Sequence, residues 1–152
     1  MATIGESTSV GPLARGIGCR VGRADIALPF ESVGQIVEYE VFPLPLARPF
    51  IGGLGLHAAR PLVSVALAGG THRLRSGSRV AKGIMLEAGA TAWALEVDEL
   101  GSFIDVRVKA HAPAPGLDVP PWISQASTAE GRSYAWIDVP AMLAHLQAGQ
   151  PR

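Results

Sequence analysis

Gly53-Leu54-Gly55-Leu56-His57-Ala58 has G-x-G-x-x-A spacing, the shape of a loop that sets backbone N–H groups against a dinucleotide pyrophosphate. That chemistry needs a strand before the loop and a helix after it. Pro49 precedes the segment and Pro61 would interrupt a following helix. The glycines are therefore read as serving a tight turn at positive φ. Glu96, Asp98 and Glu99 place alternate carboxylates on one strand face, and paired carboxylates can do acid–base chemistry. A charged strand edge running into a turn accounts for the same residues. His57, His72, His111 and His145 are far apart, and none has a His or Cys neighbour at ligand spacing. Cys19 is the single cysteine, which excludes an intrachain disulfide and a multi-cysteine zinc framework. It reads as a small core residue of a first strand. No G-x-S-x-G, P-loop or H-E-x-x-H motif is present. We thus expect a non-enzymatic chain with no catalytic residue, cofactor site or metal ligand.

Composition narrows the alternatives. The 152 residues are enough for one compact domain with a core. Hydrophobic residues make up 48%, too many for a disordered chain. Charged residues are only 17%, consistent with a surface partly committed to partners. The 13 basic and 13 acidic residues cancel, so the basic surplus that nucleic-acid binding draws on is missing. His72, Arg73, Arg75, Arg79 and Lys82 form a local basic cluster, read as a solvated loop between strands. No apolar run approaches a membrane span, and Met1 to Gly11 lack the pattern of a secretory signal. A cytoplasmic protein with no direct membrane insertion is expected.

The elements that would position these residues are short. Residues 1–15 are small and polar and read as a flexible tail. Short apolar runs then alternate with Gly, Pro and polar breaks, as in an all-β barrel or sandwich. Strands are expected at Gly18–Arg23, Ile26–Pro29, Val37–Val41, Leu62–Leu67, Val80–Glu87, Thr91–Val97, Ser102–Val108, Trp122–Gln125 and Ser133–Ile137. A turn at Ala88-Gly89-Ala90 makes Val80–Glu87 and Thr91–Val97 a hairpin. Phe30, Val33, Ile36 and Val37 fall at helical spacing and predict a turn of helix. Two proline-rich connectors lie at residues 42–49 and 110–121. Asp138 caps a closing helix with Pro140 in its first turn, Met142, Leu143 and Leu146 on one face, and Gly149 and Pro151 ending it. Trp93, Trp122 and Trp136 are read as core, with Trp122 beside Pro121 an alternative anchor for a partner.

The order of these segments resembles the CheW family of chemosensory coupling adaptors. Ile26-Ala27-Leu28-Pro29-Phe30-Glu31-Ser32-Val33-Gly34-Gln35-Ile36 is similar to the family's opening segment, with Gln35 where Glu is usual. Arg48-Pro49-Phe50-Ile51-Gly52-Gly53-Leu54 resembles the Pro-rich stretch that leads to Gly. Trp93 to Leu100 resembles the Gly-Leu-x-Val-Asp-x-Val strand and turn. Ser133 to Leu143 resembles the closing strand, Leu-Asp-Val, and helix. The family's Asn-Leu-Arg-Gly block falls on Leu56-His57-Ala58-Ala59 and is altered throughout, as is the Asp expected at Ala66.

The resemblance implies an all-β fold of two intertwined SH3-like five-stranded β-barrels with a short C-terminal helix. It implies a single domain over residues 16–148, made of two sub-barrels, with a tail at 149–152. The partners implied are the cytoplasmic signalling domain of a chemoreceptor and a CheA-type histidine kinase. Val33, Ile36, Gly53, Ala58 and Arg60 are the residues expected at the receptor groove. Ala58 lacks the forked donor that an Arg there would offer. Arg60, two residues on in a strand, would face the same side. The altered block questions kinase coupling, as in a divergent adaptor; one of a Frizzy-type gliding-motility pathway is an example. The reading from a different class is a small β-barrel ligand-binding domain or enzyme.

Overall fold

A computed structural model describes residues 12–44, 49–67, 77–86, 91–109 and 120–148. Among the described residues ten strands run in order: β1 (Leu13–Val21), β2 (Ala24–Pro29), β3 (Val33–Phe42), β4 (Ile51–His57), β5 (Arg60–Val65), β6 (Arg79–Leu86), β7 (Trp93–Glu96), β8 (Glu99–Lys109), β9 (Ile123–Ser127) and β10 (Ser133–Ile137). Helix α1 (Val139–Ala148) follows. The strands close into two five-stranded barrels, β1-β2-β10-β9-β8 and β3-β4-β5-β7-β6. The expected all-β fold, two small barrels and a closing helix, is what forms. The chain divides into two compact units, each discontinuous in sequence: the described residues up to Cys19, Ala24–Glu31 and those from Gly101 on form one, and Arg20–Arg23 with Ser32–Leu100 the other.

In the first barrel the parallel pair β2–β10 sets Ala27 against Trp136, with β9 antiparallel on the far side of β10. Its core is Ala27, Val106, Ala126 and Tyr134, with Ile104, Val108 and Trp136 packed against it. Leu13, Ala14 and Arg15, expected in the tail, already belong to β1. Asp138 caps α1 as expected, its Oδ1 accepting from the Ala141 N–H at 3.2 Å. Met142, Leu143 and Leu146 are buried and His145 is exposed. Trp122 is buried rather than an exposed anchor. Residues 149–152 lie outside the described residues.

The second barrel holds the candidate site. Along β3, Val37, Tyr39 and Val41 point inward and Glu38, Glu40 and Phe42 outward, as strand alternation requires. The helical spacing of Phe30, Val33, Ile36 and Val37 does not make a helical segment. Only a 3-10 turn, Phe30–Ser32, forms before the strand. A β-bulge between Val33 and Ile36 inserts an extra residue, so a three-residue step imitates a helical period. The β-branched side chains there favour a strand in any case.

Ile51–His57 is likewise a strand, although glycine-rich composition disfavours one. A Cβ on Gly55 would run into Leu62 and the Tyr39 ring, and one on Gly53 into the Phe42 carbonyl. The glycines let β4 press against the barrel interior. Gly53 has the expected positive φ, 148°, but at a register irregularity within the strand and not in a tight turn. The tight turn lies two residues beyond Leu56. β6 and β7 pair antiparallel, as expected of a hairpin, and residues 87–90 of its turn lie outside the described residues.

Candidate partner-binding site

The interior of the second barrel carries a polar relay. Arg79 on β6 donates to both oxygens of Glu96 on β7, Nη1 to Oε1 at 2.8 Å and Nη2 to Oε2 at 2.9 Å. The Ser64 hydroxyl on β5 donates to Glu96 Oε2 at 2.6 Å. Its proton thus engaged, Ser64 accepts from the Tyr39 hydroxyl at 2.8 Å. Burial raises the pKa of Tyr39 well above the ordinary phenol value, so it stays a donor. Gly52 and Gly83 make room: a Cβ on Gly52 would meet the Glu96 carboxylate, and one on Gly83 the Tyr39 hydroxyl.

This relay revises two readings of the sequence. Arg79, assigned to a solvated basic loop, is an interior ion-pair partner. Glu96, assigned to a charged strand edge, points inward, while Asp98 is exposed and accepts from the Gly22 N–H. Sequence alternation along β7 contains the inward position of Glu96, because it shares a face with Ala94. Nothing local identifies Arg79 as its partner.

The five predicted site residues all fall in this unit but do not converge. Ile36 stands on the outer face of β3, 53% exposed. Val33, across the bulge, is half-buried. Ala58 occupies the two-residue β4–β5 turn with Ala59, at φ 48° and 63°. Both central residues are left-handed, the conformation of a type I′ hairpin turn that Asn-Gly normally supplies. Arg60 opens β5 opposite His57 and is exposed. The expectation that Arg60 faces the same way as Ala58 by strand alternation fails, because Ala58 is in the turn. The register that sets Glu40 against Leu56 brings this turn to the level of Glu38, toward Ile36. Gly53 lies about 16 Å farther along β4, near the other end of the strand, and is buried. It shapes the backbone and offers no side chain.

His57 is half-buried in β4 and His145 is tilted against Trp122 at 6.5 Å, while His72 and His111 lie outside the described residues. Among the described residues, no cluster of three or more His, Cys, Asp or Glu side chains could hold a metal ion. Ala66, where an Asp was expected, is buried and its N–H donates to the Phe50 carbonyl at 2.8 Å. No helix among the described residues is long and apolar enough to cross a membrane.

The model of the CheW-like domain family matches residues 15–147, spanning both barrels and most of α1. The chain belongs to that family. Among solved structures, this CheW-like chain is similar to "scaffolding protein TtCheW from Thermoanaerobacter tengcongensis", with a TM-score of 0.61 and 16% identity over 84% of this chain and 90% of that one. At that identity the likeness concerns the fold. No curated protein matches it in sequence.

Proposed function

We propose that this CheW-like domain is a chemosensory signal-transduction adaptor. It binds the cytoplasmic tip of a chemoreceptor at the end of the second barrel that carries Ile36 on β3 and Ala58 and Arg60 at the β4–β5 hairpin. Coupling to a CheA-type histidine kinase is reduced or lost. The observation that carries the reading is Ile36: a branched apolar side chain, half exposed beside a bulge, at the position the family resemblance assigns to the receptor. A receptor helical hairpin would cover it and recover the free energy of burying the exposed half of an Ile side chain, about 1 kcal/mol. Val33 supports Ile36 from across the bulge and Gly53 sets the backbone of the neighbouring strand. Ala58 presents a methyl group where the family has a forked donor, so the receptor contact in this reading rests on apolar burial at Ile36 and on the exposed Arg60.

The test is a pair of titrations of the full chain, one with a receptor signalling domain and one with the kinase regulatory domain. Receptor binding that Ile36→Glu weakens at least tenfold, with no kinase binding, is expected. Absence of receptor binding at high micromolar concentration would overturn the reading.

A further inference from the structure

The outer face of the second barrel carries an apolar field that the receptor reading does not use. The strand registers place Val80, Glu40, Leu56 and Pro61 in one row across β6, β3, β4 and β5. Phe42 and Leu54 stand opposite each other in the next row. Val80 is 70% exposed, Leu54 and Leu56 42% each and Phe42 40%. Apolar side chains contiguous over neighbouring strands mark an interaction surface in a way that single exposed ones do not.

The kind of partner follows from the fold. The barrel is closed, so no strand edge is free and strand addition is unavailable here. A proline-rich ligand needs a groove lined by several aromatic rings, and among the described residues of this face only Phe42 is aromatic. A helix fits: four strands about 4.8 Å apart span about 14 Å, wide enough for one helix of about 10–12 Å. Leu54 and Leu56 stand about 7 Å apart along β4, near the rise of about 6 Å between i and i+4 positions on a helix.

The chemistry of that helix follows from Glu40. It sits between Val80 and Leu56, exposed, and accepts one hydrogen bond, from the Ser78 hydroxyl at 3.2 Å. A purely apolar partner laid over this row would strand a carboxylate away from water, at a cost of several kcal/mol. The next outward residue on β3, Glu38, is also acidic, and Lys82 stands opposite it. We infer that this face docks an amphipathic helix whose apolar stripe is interrupted by one basic residue set against Glu40. The inference does not depend on receptor binding at Ile36.

Two designed peptides of about 20 residues serve as probes. Both carry leucines at i, i+4 and i+7 spacing and differ only in a central Arg or Glu. They are titrated into the isotopically labelled full chain and followed by amide chemical shifts. At least tenfold tighter binding of the Arg peptide is expected, with shifts centred on Phe42, Leu54, Leu56 and Val80. Glu40→Arg should invert the preference and Glu40→Gln should abolish it; both alter an exposed side chain, and an unchanged thermal midpoint checks that they fold. Equal affinities, no binding, or shifts centred elsewhere would overturn the inference. So would concentration-dependent shifts at these residues without peptide, which would mean that a second copy covers the face. No receptor fragment enters the assay, so failure here leaves the receptor reading standing, and loss of receptor binding leaves this one.

Discussion

Replacing Arg79 by Met tests whether the interior of the second barrel depends on its ion pair. Met keeps the aliphatic stem and removes the charge. Glu96 is 12% exposed and Arg79 21%, so the pair is largely shielded from water. Removing one partner of a buried pair costs about 3–5 kcal/mol, because the remaining charge is stranded. The surviving hydrogen bond from Ser64 and the residual exposure place Arg79→Met at the lower end, about 3 kcal/mol. The double variant R79M/E96Q removes both charges while Gln still accepts from Ser64. It should lose only net hydrogen-bond energy, about 1 kcal/mol. The double variant is thus expected to be more stable than the single one by about 2 kcal/mol, and the coupling in the cycle completed by E96Q to exceed about 2 kcal/mol by whatever E96Q alone costs. Urea unfolding followed at the Tyr39 and Ala94 amides, both in this barrel, reads the effect where it arises. A cost for Arg79→Met below about 1 kcal/mol, or a double variant no more stable than it, would refute the reasoning.

Three further outcomes are expected. Ala58→Asn with Ala59→Gly should stabilise the chain by about 1–2 kcal/mol, since each left-handed alanine costs about 1 kcal/mol or more and glycine returns part of that in chain entropy. The thermal midpoint should rise by roughly 2–8 °C in a chain of this size. Burial pushes the Cys19 thiol from 9.0 up to about 12. Its contribution is full below the unfolded value and is lost as pH rises from about 9 toward 12, at about 1.4 kcal/mol per unit, a slope that Cys19→Ala should remove in urea midpoints. Asp138→Ala removes the cap of α1 and should cost about 1 kcal/mol, read by thermal unfolding.

Where structure follows from neighbours in the chain, the residues alone were sufficient. Strict alternation around Tyr39 and Val41 fixed the two faces of β3, because successive strand side chains point to opposite sides. Ser133–Ile137 was legible to the residue, and α1 was legible from its cap, its proline and its buried stripe. Family order gave the two barrels. What misled was a local pattern with a nonlocal cause. The bulge between Val33 and Ile36 copied a helical period, and the glycines of β4 looked like a turn because their reason, clearance for Tyr39, Leu62 and the Phe42 carbonyl, comes from other strands.

Only closure of the barrels decided the rest. β2 and β10 pair across more than a hundred residues, and no local signal selects that partner. The same holds for Arg79 and Glu96, each charged and unremarkable in sequence, which meet because β6 and β7 line one interior. It holds too for the apolar row on the outer face, whose members come from separate strands and become neighbours only through register. A side chain's face is set by its own strand; its neighbours across that face are set by which strands the whole chain brings together.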